Sequence, residues 1–294
     1  MTTFRITAQI IEPQYVIEGA GVLLRRSIAP HKSNLFDPFL LFDHFAFNDP
    51  LEGPMRGFPM HPHRGIETVT YMLEGSTHHR DSLGNEGTIS EGDVQWMTSG
   101  RGILHEEMPR RGPSGAIYGF QLWVNLPKRL KMTEPRYQEV NADSIPTYKK
   151  DGTTIRVVAG QVDIITGPVT EIAASPLYLD VKLDPDKEFI QPIPSGHTAI
   201  AYIFEGEAVF GDHPSTHEER GQASPGTTVE AVRMIKFDDG EAIHVKTENS
   251  SARFMLMAGA PFKEPIAPYG PFVMNTMDEI QQTLVELRNG TFIK

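Results

Sequence analysis

Two short stretches hold most of the coordinating chemistry in this chain. "MHPHRG" places His61 and His63 on either side of Pro62, and "ILHEEMP" carries His105 and Glu107. In an extended strand residues i and i+2 face the same side, so each stretch presents two side chains together. Pro62 keeps His61 out of the helical region and suits a strand start or an edge strand. If the two strands lie side by side, or across a small barrel, three imidazoles and one carboxylate converge. Nitrogen donors with one hard oxygen suit a first-row divalent ion, and open positions would remain for ligands. The chain has no cysteine, which removes disulfides, iron–sulfur clusters and thiolate zinc sites at once. Glu67, just beyond His63, is a competing carboxylate that strand parity also allows inward. Glu106, between His105 and Glu107, should point the other way.

Strands must position these groups, and strands dominate the pattern. "TVTYML", "GDVQWM", "GFQLWVNL", "TIRVVAG", "YLDVKL" and "AIAYIFEG" alternate β-branched or aromatic residues at period two, between Gly, Pro and Asn turn signals. The pattern predicts an all-β sandwich or barrel. Helical periodicity is confined to "NTMDEIQQTLVELRNG". There Thr276 reads as an N-cap and Glu279 completes a capping box. Ile280, Leu284 and Leu287 form one apolar stripe, and Gly290 closes the C-terminus.

The sequence also repeats itself. "MHPHRGIETVTYMLEG" from 60 aligns without gaps to "QPIPSGHTAIAYIFEG" from 191, matching Gly65, Tyr71, Glu74 and Gly75 to Gly196, Tyr202, Glu205 and Gly206. More weakly, "EGDVQWMTSGRGILHEEMP" from 91 overlays "DGEAIHVKTENSSARFMLM" from 239. Two copies of one β-domain follow, joined within residues 130–145. The division is an N-terminal metal-binding barrel, residues 1–135, and a C-terminal metal-free barrel with the helix, residues 136–294. In this alignment Pro192 and Pro194 replace His61 and His63, Thr198 replaces Glu67, and Arg253 and Met255 replace His105 and Glu107. The scaffold recurs while the donors do not, so the histidines serve something other than the fold.

Other conspicuous residues have plainer readings. His78 and His79, beside a turn, read as solvent-facing, and His44 in "LLFDHFAF" as a hydrogen-bonded core histidine. His213 and His217 fall in an insert that reads as an exposed loop. Trp96 and Trp123 read as barrel filling, and Phe58 either lines the approach to the metal or packs in the core. A net charge of −11 opposes direct nucleic-acid binding. No run of apolar residues is long enough to span a membrane, and the N-terminus lacks the pattern of a secretory signal. A cytoplasmic location is the expectation.

"FPMHPHRGIETVTYMLEG", "HRDSLGNEG", "GDVQWMTSGRGILHEEMP", "QLWVNLP" and "YGPFVMNTMDEI", in that order, resemble the pirin family of the bicupin class. The resemblance implies two cupin barrels (double-stranded β-helices, jelly-roll-like) in one chain, with a single metal in the N-terminal one. The implied ligands are His61, His63, His105 and Glu107, usually around iron(II), and Glu107 rather than Glu67 supplies the carboxylate. Manganese, nickel, cobalt, copper and zinc share the donor preference. Pirin-like proteins resemble quercetin 2,3-dioxygenases, which cleave the central ring of a flavonol with O2 and release carbon monoxide. The implied substrate is therefore a small aromatic such as a flavonol, its 3-hydroxyl and O2 meeting at the metal, with Glu107 accepting the hydroxyl proton. An alternative is a metal- and redox-responsive co-regulator acting through a protein partner. A sugar isomerase would want inward cations near the metal, for which Arg64 is the only candidate.

Overall fold

The structure is a computed structural model describing residues 2–47, 57–211 and 226–293. His213 and His217 lie outside the described residues. The front of the chain forms β1 (Thr7–Ile11), β2 (Gln14–Glu18), β3 (Val22–Ile28), β4 (Phe39–Phe47), β5 (Phe58–His63) and β6 (Ile66–Glu74). Then come β7 (Ser76–Asp81), β8 (Glu86–Ile89), β9 (Val94–Thr98), β10 (Ile103–Arg110), β11 (Ile117–Asn125) and β12 (Arg136–Val140). Helix α1 (Met277–Arg288) is the single α-helix among the described residues. Its Thr276 cap and reciprocal Glu279 contact form the expected capping box. Ile280 and Thr283 are its buried face, whereas Leu287 is exposed, so the apolar stripe is shorter than the sequence suggests.

The chain divides into two compact units, each built from two separate stretches of sequence rather than one on either side of residue 135. One comprises residues 14–144 and 262–294, the other residues 1–13 and 145–261. The physical reason is strand pairing. β1 completes a sheet by pairing with Arg233–Phe237 of the later half. Helix α1 packs on the hairpin of Ala267–Tyr269 and Phe272–Met274, in the unit that contains β5 and β10.

In the unit of residues 14–144 and 262–294, one sheet runs β12-β9-β6-β11-β4-β3-β2 and a second runs β5-β10-β7-β8. Alternation assigns the faces. Val22, Leu24 and Arg26 of β3, Leu41, Asp43 and Phe45 of β4, and Ile117, Gln121 and Trp123 of β11 all line one interior cavity.

The other unit has the same pairing pattern with a different filling. Thr198–Phe210 stands where β6 stands, Ala242–Lys246 pairs with Glu188–Pro192 as β10 pairs with β5, and Ala252–Gly259 takes the place of β11. The sequence overlay of the second repeat is therefore out of register by a strand. Arg253 and Met255 belong to the β11 counterpart, because a period-two apolar rhythm matches itself on any strand. On the true β10 counterpart the interior residues are Ile243 and Val245. Both are fully buried in a cluster with Ile155, Val157, Leu179 and Phe254. Hydrocarbon thus stands where His105 and Glu107 would. On and just after Glu188–Pro192 the buried positions are Gln191 and Ile193, while Pro192 and Pro194, which the overlay set against His61 and His63, are exposed.

Candidate metal centre

β5 and β10 are antiparallel neighbours, and His105 stands directly opposite His61. His63 shares the face of His61. The candidate donor nitrogens of His61, His63 and His105 all lie within 4.8 Å of one another. Ring centroids are 4.4 Å apart for His61–His105, 4.9 Å for His61–His63 and 5.0 Å for His63–His105. Among the described residues no other group of three or more side chains makes such a cluster.

The local chemistry calls for a cation. His61 Nδ1 faces the Pro59 carbonyl at 3.0 Å, which requires a proton on Nδ1 and turns the Nε2 lone pair inward. His63 Nε2 lies 3.1 Å from that lone pair. His105 is 1% exposed, and neither of its ring nitrogens has a hydrogen-bond partner in the protein. Burial lowers the pKa of His61 below the ordinary histidine value, and those of His63 and His105 well below it. Neighbouring imidazoles push the latter two further down. Neutral imidazoles converging with their lone pairs on one point fit a divalent ion.

Glu107 stands beside this trio. Across a bulge in the β5 register it follows His105, is 7% exposed, and lines the same cavity as His61 and His63. The Thr70 hydroxyl lies 3.2 Å from Glu107 Oε1 and 3.0 Å from Gln121 Oε1. Burial pushes the Glu107 carboxyl up to about 7, and the Thr70 contact opposes this. A buried carboxylate with only a neutral hydroxyl beside it gains from a nearby cation. Glu106 points away, paired with Arg80 on β7.

Glu67 faces the other side of β6 from Thr70. It stands opposite Thr98 and accepts that hydroxyl at 2.8 Å. Trp96, opposite Val69, shares that face, so it does not fill the cavity. Trp123 does line the cavity, edge-on to His63 with centroids 5.2 Å apart, and Phe58 lines it too. Burial pushes Glu67 up to about 7, above the ordinary 4.5, and Thr98 opposes the shift. The folded state therefore holds this proton more tightly than the unfolded chain. The penalty for ionising it enters as pH rises through 4.5 and is complete above about 7. Glu67→Gln is expected to raise the melting temperature at pH 8 and change it little at pH 4.5. Its affinity for a divalent ion should stay within about twofold of wild type, since distant, independent sites barely couple. A large loss of metal affinity in a chelator competition would make Glu67 a ligand after all.

The structure overturns two further readings. His79 is buried, 1% exposed, because the alternation of β7 turns it inward opposite Glu107. It stacks on Tyr137 and meets Glu139 at 2.9 Å, and only His78 is partly exposed. Arg64 does not enter the cavity. It donates to Thr283 Oγ1 at 3.0 Å, to Glu286 at 2.7 Å and to the Arg101 carbonyl, and its guanidinium lies 4.4 Å over Phe292. His44 is buried as expected, against Tyr118 and Phe120, and burial pushes its pKa down to about 3.

Sequence reasoning also missed the support of the turn after His63. Gly65 has φ of 80°, and a Cβ there would come within 2.3 Å of the Val273 carbonyl oxygen. Lys131 Nζ donates to the carbonyls of Gly65 and Val273 and to Asn125 Oδ1, at 2.9, 2.6 and 2.7 Å. Nothing in the linear sequence joins residues 65, 131 and 273.

The cavity has a volume of about 530 Å3, within the range of small-molecule sites. Its walls are largely apolar, including Leu24, Leu41, Phe45, Phe58 and Trp123, and His61, His63 and Glu107 add polar lining.

Comparison with known proteins bears on family and fold. Two family descriptions match: "Pirin" over residues 21–124 and "Pirin C-terminal cupin domain" over residues 178–293. A "Pirin-like protein" of Solanum lycopersicum is 44% identical over 276 residues, covering 93% of this chain and 88% of that protein. The Homo sapiens "Pirin" is 42% identical over 275 residues, covering 93% of this chain and 89% of that protein. A crystal structure titled "Quercetin 2,3-dioxygenase from Acinetobacter baumannii" superposes with a TM-score of 0.83. It is 31% identical, with 98% of each chain covered.

Proposed function

The chain belongs to the pirin family, and from that premise we propose that it is a metal-dependent dioxygenase acting on flavonol-type aromatics. The observation that carries this reading is the orphaned imidazole of His105, buried with His61 and His63 at the end of a largely apolar cavity. The similarity to the Acinetobacter quercetin dioxygenase supports the same chemistry. His61, His63, His105 and Glu107 would hold one divalent ion, which we take to be iron(II). When bound, that ion would supply Lewis acidity toward a substrate oxygen and an electron-transfer route to O2.

The chain's own residues supply the rest. The apolar walls seat a planar ring system and exclude water from it. Glu107 accepts the proton of an enolic hydroxyl delivered to the trio, the part of a positioned general base. The Thr70 hydroxyl holds that carboxylate toward the cavity. Trp123 presses edge-on against His63 and limits its rotation.

The test is anaerobic loading with Fe(II) followed by O2 uptake in the presence of quercetin. Turnover well above that of free Fe(II) is expected. Glu107→Gln should lower kcat about a hundredfold, the usual contribution of a positioned base. Uptake no faster than with the free ion would discard the activity.

A further inference from the structure

The cavity has a second polar end. Register across the seven-stranded sheet sets Gln14 of β2, Arg26 of β3, Asp43 of β4, Gln121 of β11, Thr70 of β6, Gln95 of β9 and Glu139 of β12 opposite one another in turn. Residues directly opposite share a face, so one polar row crosses an otherwise apolar wall. Four of its members, Arg26, Asp43, Gln121 and Thr70, line the cavity. Thr70, which meets both Glu107 and Gln121, stands at the metal end. Asp43 and Arg26 stand two and three strands beyond Thr70, about 10–14 Å away at the usual strand spacing.

That far end is built. Asp43 is 3% exposed and takes both Arg26 Nε and Nη2, at 2.8 and 2.7 Å, while Nη1 donates to Glu18 at 2.7 Å. Two carboxylates surround one guanidinium, which leaves a net charge of −1. Asp43 keeps lone pairs to spare, and Arg26 keeps two N–H groups beyond the three already committed. A hydroxyl is both donor and acceptor and satisfies both kinds of group. A carboxylate would meet repulsion, and a bare aromatic C–H would leave polar groups desolvated.

We propose that Arg26 and Asp43 form a specificity subsite that reads a hydroxyl group on the ring of the substrate remote from the metal-binding end. This rests on the aromatic-substrate reading above and narrows it to two-ended phenols, neutral at the far end.

The test is binding rather than turnover, on protein loaded with redox-inert Zn(II) and titrated with probes followed by absorbance. The probes are 3-hydroxyflavone, its 4′-hydroxy and 7-hydroxy derivatives, and the 4′-carboxy derivative. One hydroxy derivative should bind roughly tenfold tighter than 3-hydroxyflavone, and the carboxy derivative no tighter than it. In the double variant Arg26→Met with Asp43→Leu the hydroxyl preference should shrink to within about twofold. Replacing an ion pair by apolar residues of similar size is usually tolerated by the fold. If that variant does not fold, Asp43→Asn should cut the preference by more than half. Equal affinity for all probes, or a preference that survives the substitutions, overturns the subsite and leaves the metal-centre reading standing. Failure of every probe to bind Zn(II)-loaded protein overturns both. Tight, selective binding without O2 uptake by the Fe(II) form would sink the dioxygenase reading alone.

Discussion

Replacing His105 by leucine is expected to cut affinity for a divalent ion at least about a hundredfold while making the metal-free protein more stable. The two halves of this result have one cause. Losing even an outer partner of a metal ligand typically costs about 10–100-fold in affinity, and a ligand costs no less. In the metal-free fold, the same imidazole is 1% exposed with both ring nitrogens lacking a protein partner. An unmet buried polar group costs about 1–3 kcal/mol, and leucine of similar volume removes it. Thermal unfolding with and without chelator measures one half, and competition against a chromophoric chelator the other. A residue kept for packing would give the opposite pattern, with metal affinity intact and the metal-free melting temperature lowered. Few substitutions at a buried polar position are expected to stabilise, which makes the sign informative.

Arg64→Ala should be among the most destabilising single changes in the chain, by about 3–5 kcal/mol, the usual cost of removing one partner of a buried ion pair. Arg64 is 2% exposed, and its loss removes a donor from Glu286, Thr283 and the Arg101 carbonyl together. For a unit of this size the loss corresponds to a melting point lower by about 10 °C. Because Arg64 directly follows His63, affinity for the ion should also fall, by about tenfold. Arg64→Lys keeps the charge but not the fork, so it should lie between. A calorimetric melt that moves by only a degree or two would show that α1 is not anchored through this residue.

The chemistry was legible where it was local. His61 with His63, and His105 with Glu107, are i and i+2 pairs, and period-two alternation is enough to place each pair on one face. The capping box of α1 was legible for the same reason, since Thr276 and Glu279 are a fixed three residues apart. The internal repeat pointed to missing donors in the second barrel but misplaced them: Pro192 and Pro194 are exposed, and Gln191 and Ile193 take the buried positions. It failed on β10, because alternating apolar residues carry no mark of which strand they belong to. What stayed hidden depends on pairing between distant strands. Alternation puts Glu67 and Thr70 on opposite faces of β6, but which face looks into the cavity is set only by the neighbouring strands β9 and β11. The row from Arg26 to Thr70 exists only across the sheet. The assignment of residues 1–13 to the later unit follows from β1 closing a sheet made of much later residues.

One measurement bears on all of this directly: an anomalous-difference map from crystals of protein grown with the candidate metal and purified without a chelating tag. The account predicts a single strong peak within bonding distance of His61, His63 and His105, with the Glu107 carboxylate turned toward it, and no peak in the barrel lined by Ile243 and Val245. A peak held by other residues, a second peak in that barrel, or Glu107 turned out of the cavity would contradict it.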